Sequence, residues 1–221
     1  NLNNFILFKM SSKKRIVIID RKNANINSLK NAIQHVSDYH LSVSSDMKEI
    51  QKADFLILAG VGAFGDGMND LVEKDLVDGL LEQALIKKKP FLGICLGMQM
   101  LFSESEEKGM NAGLNLIEGK IKYLDLKPSF RIPHVGWNNI EYDEDSKIFN
   151  GLGPDKNFYF VHSLYAECGK KNIVAKVDYD KKITAAVQKD NILGFQFHPE
   201  KSQGNGMVLL KNFLSGRYYD A

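Results

Sequence analysis

The 221-residue sequence has little of what marks secreted or membrane proteins. Its two cysteines are too few for a disulfide-stapled scaffold, so a reducing, cytoplasmic setting is expected. No apolar run approaches the roughly 18 residues that a membrane-spanning helix requires. The apolar residues 5–8 are also too few for the core of a signal peptide. The sequence therefore predicts no membrane association.

A large net charge and clustered metal ligands are lacking as well. Twenty-nine lysines and arginines against twenty-seven acidic residues leave a net charge of only +2, so nucleic acid is not expected as a partner. The five histidines and two cysteines show no metal-ligand spacing. The sequence therefore predicts neither a metal site nor a cofactor.

What is present is typical of one globular domain. The composition is 44% hydrophobic and 25% charged, and a chain of this length buries roughly 70% of its unfolded surface in a single core. Residues 14–221 are interpreted as that domain. Residues 1–13 are interpreted as an N-terminal extension, either non-native or flexible, because residues 1–9 precede Met10.

Short apolar runs alternate with helical patterns in the first half of the chain, which indicates a parallel sheet with helices on its faces. The second half is rich in strand patterns that suggest antiparallel additions. The fold class is therefore α/β, a flavodoxin-like, mostly parallel sheet. Strands are predicted at 15–20, 40–44, 55–58, 90–94, 116–124, 158–167, 173–179 and 183–197, with helices at 26–36, 67–88 and 207–214 and a hairpin turn at Asp190-Asn191.

The strongest chemical signal is the segment LGICLGMQ, residues 92–99. A buried strand runs through Gly-x-Cys-x-Gly into an apolar helix, which is the thiol form of a nucleophile elbow. The flanking glycines permit a sharp turn, and the positive end of the helix stabilises a thiolate at Cys95. The alternative is that Cys95 is a small buried hydrophobic residue, as free cysteines usually are.

A second signal, GFQFHPEK at residues 194–201, supplies a base for this thiol. Pro199 favours an extended His198, so that His198 and Glu200 should share one face of the chain. The carboxylate can then set the imidazole tautomer. By itself such a tripeptide is more often a surface turn.

The glycine-rich segment LAGVGAFG, residues 58–65, follows another strand. It lacks the Lys-Ser/Thr ending of a phosphate-binding loop. Beside a nucleophile elbow it would form an oxyanion hole, with Val61 and Gly62 complementing the N–H of Leu96. The alternative is a tight turn between a strand and a helix.

Together these three segments resemble the class I (triad) glutamine amidotransferase family, and the resemblance runs over residues 14–214. Within that family, PHVGWN at 133–138 and YFVHS at 159–163 resemble the glutaminase subunits of imidazole glycerol phosphate synthases. The resemblance implies a glutaminase in which Cys95 attacks the glutamine amide, His198 protonates the departing ammonia and Glu200 orients the imidazole. It also implies that the substrate is held by Gly60, Gly62, Gln99, Glu107, Ser163 and Leu164.

The resemblance further implies a heterodimer with a (β/α)8-barrel cyclase subunit, which receives the ammonia in histidine biosynthesis. The implied docking residues are Asn25, His134, Trp137, Asn138, Tyr159 and Lys201. Trp137 could instead be an ordinary core residue.

Two alternatives remain open. Residues 20–25 read DRKNAN where the family commonly has Asp-Tyr-Gly-x-Gly-Asn, which is compatible with a paralogue that feeds ammonia to another synthase, such as one that amidates a sugar nucleotide. A catalytically silent scaffold or a cysteine-based stress protein could share the elbow. Silent relatives tend to lose a triad member, whereas Cys95, His198 and Glu200 are all retained here.

Overall fold

The computed structural model describes residues 13–21 and 26–219. The predicted N-terminal extension lies outside the described residues except for Lys13. Residues 22–25 of the altered loop, including Asn25, lie outside them as well.

The described residues form strands that carry most of the core and helices that cover it. The strands are β1 (Arg15–Ile19), β2 (His40–Ser44), β3 (Phe55–Gly60), β4 (Phe91–Cys95), β5 (Phe102–Ser105), β6 (Asn111–Ala112), β7 (Ile117–Tyr123), β8 (His134–Tyr142), β9 (Asn157–His162), β10 (Leu164–Cys168), β11 (Ile173–Tyr179), β12 (Lys181–Lys189) and β13 (Ile192–Phe195). The α-helices are α1 (Asn27–Val36), α2 (Met47–Lys52), α3 (Phe64–Glu73), α4 (Val77–Leu81), α5 (Leu96–Gln99) and α6 (Gln203–Ser215). No helix in the described ranges is long and apolar enough to cross a bilayer.

A nine-stranded sheet organises the molecule, in the order β2-β1-β3-β4-β13-β12-β11-β8-β9. The strands from β2 to β13 are parallel to their neighbours, and the remaining pairs are antiparallel. A smaller sheet has the order β10-β7-β5-β6. The predicted α/β fold is confirmed. The parallel strands β2-β1-β3-β4-β13 have the flavodoxin-like order, and the antiparallel part of the sheet is of comparable size.

Both faces of the parallel part are buried, since a hydrophobic core lies on each side. Successive residues of a strand point to opposite sides and so enter different cores. Phe55 and Ile57 of β3 pack into one core, beneath α1 and α6, whereas Leu56 and Leu58 pack into a second core beneath α3. This is why these strands are continuous apolar runs in the sequence.

The helical stretch predicted at 67–88 is wrong as a single element. Helix α3 ends after Glu73, with Lys74 as its C-cap. The cap is of the Schellman type, in which Leu76 N–H donates to the Leu71 carbonyl. Asp75 occupies the left-handed position with φ 53°. An aspartate is tolerated there because its short polar side chain causes less strain in the left-handed conformation than a bulky one does. The apolar periodicity continues past this residue, so it does not indicate the end of the helix.

Other elements differ in extent. The strand predicted at 158–167 is divided at Ser163 into β9 and β10, which belong to different sheets. Strands β5, β6 and β8 and helix α2 were not predicted, because their apolar periodicity is short or interrupted. The predicted Asp190-Asn191 turn does connect the antiparallel strands β12 and β13.

The carboxyl ends of β3, β4 and β13 meet at one edge of the sheet. Gly60 is paired with Cys95, and Phe195 is paired with Ile94. In open α/β sheets this edge is where ligands bind. The topology therefore brings the three sequence signals to one place.

Candidate active site

Cys95 is the last residue of β4 and the turning point into α5. Its backbone has φ 54° and ψ −110°, a conformation that L-residues rarely adopt. The glycines around it are required by space, since a Cβ at Gly97 would lie 1.7 Å from the Leu58 carbonyl oxygen. Helix α5 is a single turn, so its dipole stabilises a thiolate less than a longer helix would.

His198 and Glu200 follow β13 and form a hydrogen-bonded pair. His198 Nδ1 lies 2.7 Å from Glu200 Oε1, and both side chains are almost completely buried. The predicted extended geometry holds for His198 alone, because Pro199–Lys201 forms a 3-10 turn. The turn, and not a shared strand face, therefore brings the carboxylate to the imidazole.

The pair determines the protonation of His198. Because an ionised carboxylate only accepts, Nδ1 donates its proton to Glu200 and Nε2 is left for the nucleophile. Burial alone lowers the pKa of His198, but the interactions of the imidazolium with Cys95 and Glu200 outweigh it and raise the pKa to about 10. Nε2 is buried without a hydrogen-bond partner in the described residues, so we attribute the Cys95 contribution to nearby charge.

A cavity of about 290 Å³ opens beside the Cys95 sulfur. It brings together most of the residues that sequence analysis assigned to the oxyanion hole and to glutamine. Its lining consists of Val61, Gly62, Cys95, Leu96, Gln99, Glu107, Pro133, Val161, His162, Ser163 and Leu164.

Glu107 and Gln99 both line the cavity and are held by hydrogen bonds to other parts of the wall. Glu107 is half-buried, and its Oε2 accepts a bond from the Phe64 N–H, 2.5 Å away, at the start of α3. Gln99 is buried and donates from Nε2 to the Leu164 carbonyl and to Gln196 Oε1. Since both of its donors are used, Gln99 has only acceptor capacity left for a ligand.

Gly60 does not line this cavity. A Cβ at Gly60 would lie 2.3 Å from Nη1 of Arg21, which covers the glycine. Arg21 is 5% exposed and belongs to the loop that departs from the family pattern. Its pKa is lowered by burial, an effect that the charge of Asp70 opposes. Gly60 instead borders a small pocket together with His198 and Glu200, and its role in substrate binding stays a prediction.

Comparison with known proteins decides the family. The family model for class I glutamine amidotransferases matches residues 17–216, nearly the whole chain. The chain belongs to this family.

Relatives of the amidotransferase are similar over their full lengths. The imidazole glycerol phosphate synthase subunit HisH 2 of Vibrio vulnificus is 48% identical, with 90% of this chain and 94% of the relative covered. The subunit HisH 1 of Campylobacter jejuni strain RM1221 is 41% identical, with 90% and 98% covered. The subunit HisH of Aquifex aeolicus is 42% identical, with 90% and 95% covered.

Solved structures support the fold. PurLQS from Thermotoga maritima matches with a TM-score of 0.68 at 18% identity, covering 92% of this chain and 98% of that one. A glutamine amidotransferase structure matches with a TM-score of 0.69 at 17% identity, covering 90% and 97%. At these identities the likeness concerns the fold alone.

One predicted docking residue of the amidotransferase is not on its surface. His134 is 0% exposed, and its ring stacks on Tyr179 at 3.9 Å between centroids. Its Nδ1 lies 3.0 Å from His162 Nε2, and its Nε2 lies 2.8 Å from the Asn138 amide. The prediction that His134 contacts a partner is therefore wrong, because alternation along β8 directs its side chain inward.

The other described docking candidates surround an exposed aromatic pair. Trp137 is 46% exposed and meets the Tyr159 ring edge-on at 5.8 Å. The Lys201 ammonium lies 5.6 Å from the centroid of the Tyr159 ring. We call Val135, Trp137, Tyr159 and Lys201 the Trp137 face.

This face continues into the active site through cross-strand pairing. Trp137 pairs with Tyr159 and Val135 pairs with Val161, on the same side of β8 and β9. Val161 in turn lines the cavity next to Cys95.

Sequence reasoning missed Gln196 and His162. Both are buried polar residues of apolar strand segments, and a buried polar residue beside a catalytic candidate is the signal that could have found them. His162 Nδ1 donates to the Leu164 carbonyl at 2.8 Å, and burial lowers the pKa of His162 to about 3. His162 is therefore neutral and orients the backbone of the cavity wall.

The raised pKa of His198 predicts a pH dependence of folding stability. Because the folded value of about 10 exceeds the ordinary 6.5, the stabilisation is complete below about pH 6.5 and is lost as the pH rises towards 10. Urea unfolding should show that the wild type loses more unfolding free energy between about pH 7 and pH 10 than His198→Gln does. His35→Gln, at an exposed histidine, is the matched control and should follow the wild type. Parallel profiles for wild type and His198→Gln would refute the assignment.

Proposed function

We propose that this amidotransferase is the glutamine-hydrolysing subunit of an imidazole glycerol phosphate synthase and passes ammonia to a (β/α)8-barrel cyclase in histidine biosynthesis. One observation carries the chemistry: the elbow cysteine and the buried His198–Glu200 pair lie at the adjoining ends of β4 and β13. The relatives named above, whose names are those of synthase subunits, support the assignment. A cytoplasmic location and one domain over residues 14–221 are part of the proposal.

In this proposal the Cys95 sulfur reacts beside the His198 imidazolium, whose raised pKa keeps its proton on the ring at neutral pH. The Cys95 sulfur attacks the side-chain amide carbon of glutamine and forms a C–S bond. The carbonyl oxygen becomes an oxyanion, which backbone N–H groups of Leu96 and of the Val61–Gly62 loop stabilise. The C–N bond then breaks as His198 Nε2 gives its proton to the amide nitrogen, and ammonia leaves.

Water completes the cycle. Neutral His198 takes a proton from water, whose oxygen attacks the thioester carbon. The C–S bond breaks, glutamate leaves and the thiolate–imidazolium pair is restored. Glu200 remains ionised throughout and holds Nδ1 through the 2.7 Å bond.

Glutamine is positioned by the far wall of the cavity. Glu107 and the free acceptor of Gln99 suit the α-ammonium group, since both present negative or partially negative oxygen. The backbone of Ser163 and Leu164, oriented by His162, borders the same space. Glycine at position 62, with φ 106°, lets the oxyanion loop approach without a side chain.

Delivery of ammonia requires a partner at the cavity mouth. Free ammonia in neutral water is largely protonated and is then no nucleophile. The Trp137 face is exposed, aromatic and continuous with the cavity through Val135 and Val161, as expected for an interface anchor. We place the cyclase there; Asn138 lies on the other side of β8, where its side chain bonds to His134.

A second candidate is a paralogue that supplies another synthase, such as a sugar-nucleotide amidating enzyme. The altered loop at residues 20–25 favours it. Asp20 and Arg21 are the described residues of that loop, and Arg21 is buried against Gly60.

Mixing the chain with the barrel cyclase of the same source tests the proposal. Glutamate release should rise at least tenfold when the cyclase and its nucleotide substrate are both present. The reason is that the loaded partner is expected to bring the backbone N–H groups of the Val61–Gly62 loop into position for the oxyanion. Trp137→Ala should weaken association, whereas Val72→Ala, at an exposed residue of α3, should not. Comparable glutaminase rates alone and in the loaded complex would contradict coupled delivery. Absence of association would favour the paralogue.

A further inference from the structure

The nucleophile has a polar neighbour that the triad does not include. Gln196 follows β13, is 0% exposed and is held by a 2.9 Å bond from its backbone N–H to the Ala185 carbonyl. We propose that Gln196 is a positioning residue that holds an amide N–H against the Cys95 sulfur and favours the thiolate over the thiol. The inference rests on the proposed function, in which that thiolate is the nucleophile.

The hydrogen-bond network determines which end of the Gln196 amide faces the sulfur. The Leu164 carbonyl can only accept, so the group of Gln99 that lies 3.3 Å from it is the NH₂. That same NH₂ lies 3.0 Å from the Gln196 amide, which must therefore present its oxygen to Gln99. The Gln196 NH₂ is left on the other side, 3.9 Å from Sγ of Cys95.

A second contact of the sulfur shows why a donor is needed there. Sγ also lies 3.9 Å from the Val161 carbonyl oxygen, which can bond only to the thiol, S–H. A carbonyl oxygen repels a thiolate, whereas an amide N–H bonds more strongly to a charged thiolate than to the weakly accepting sulfur of a thiol. The two contacts favour opposite protonation states, and Gln196 opposes the effect of Val161.

The hydrogen bonds of the Gln196 side chain go to Gln99 and to Cys95, and not to the other titratable groups that face Cys95. Those groups are His198 and Glu200 after β13, His162 at the end of β9, and Glu107 in the cavity wall. His162 is neutral because of its burial, and His198 is the cation of the group. A change in thiolate formation on substitution of Gln196 is thus attributable to the lost N–H.

Alkylation by iodoacetamide as a function of pH tests the proposal on the whole chain. Cys95 and Cys168 are followed separately by mass spectrometry of their peptides, and Cys168 is an internal reference because burial raises its pKa to about 11. In Gln196→Met, which removes the N–H and keeps the volume, the Cys95 midpoint should rise by about one pH unit, and its alkylation at pH values below the wild-type midpoint should slow about tenfold. The Cys168 profile should not move.

A matched control is Gln188→Met, which removes amide donors to the Tyr218 carbonyl, on strand β12 away from the cavity. It should leave the Cys95 midpoint unchanged. Gln196→Asn, whose shorter amide cannot reach the sulfur, should repeat the shift if Gln196→Met does not fold.

Glutamine kinetics separate this role from simple packing. The proposal expects kcat of Gln196→Met to fall with KM within about twofold. An unmoved Cys95 midpoint with a raised KM would overturn it, since Gln196 would then serve only to hold Gln99. A shifted midpoint in a chain whose wild type hydrolyses no glutamine would refute the proposed function and leave the sulfur contact supported.

Discussion

Replacing Cys95 by serine is expected to lower the kcat for glutamine hydrolysis at least about 10⁴-fold, with KM nearly unchanged. A serine hydroxyl does not ionise near neutral pH, so the charged nucleophile that pairs with the His198 imidazolium is not formed. The cavity proposed to bind glutamine should keep its shape, because one oxygen replaces one sulfur. Glutamate release under saturating glutamine, with the cyclase partner present, is the measurement.

The chain offers a matched control at its other cysteine. Cys168 is the last residue of β10, in the smaller sheet, and does not line the cavity. Cys168→Ser should keep the wild-type kcat. Activity of Cys95→Ser within tenfold of wild type would exclude a thioester at Cys95 and would point to another nucleophile.

Replacing Glu200 by glutamine is expected to lower kcat about 10³-fold, because the amide can present an N–H to His198 Nδ1 and favour the wrong tautomer. The imidazolium also loses a buried counter-charge. Since Glu200 raises the pKa of His198, its removal lowers that pKa. The proton needed by the departing ammonia is then lost at a lower pH, so the alkaline limb of the kcat–pH profile should move to lower pH.

Two comparisons test whether Glu200 acts through His198. Glu118→Gln, at an exposed carboxylate of β7, should leave kcat unchanged. The double variant His198→Gln with Glu200→Gln should be no slower than His198→Gln alone, since residues that act as a unit are not additive. Additive losses would mean that Glu200 has a separate role, such as direct contact with substrate.

The turn at Cys95 and the parallel strands could be predicted because their signals lie within a few consecutive residues. Gly-x-Cys-x-Gly after an apolar run predicted the turn at Cys95, and the structure shows that a side chain at Gly97 would collide with Leu58. The parallel strands were found because burial on both faces makes them continuously apolar. The roles assigned to the site residues stay predictions, although the structure brings most of them to one cavity.

Positions that depend on contacts between distant segments were predicted least well. His134 belongs to a motif that suggested a docking role, but the packing of β8 against β9 and Tyr179 buries it. The helix predicted over 67–88 is interrupted by a cap at Asp75, which periodicity does not register. Strand β8 itself was missed because half-exposed strands carry weak apolar alternation.

The amino-acid order alone determined the family and the chemical groups available, because elbow, base and oxyanion loop are each encoded within a few consecutive residues. Tertiary structure alone decided that Gln196 reaches the sulfur and that Arg21 covers Gly60 next to the oxyanion loop. It also decided that the Trp137 face leads to the cavity. Such arrangements join residues that are far apart in the sequence, 101 positions for Gln196 and Cys95, and the register of neighbouring strands determines which of them meet.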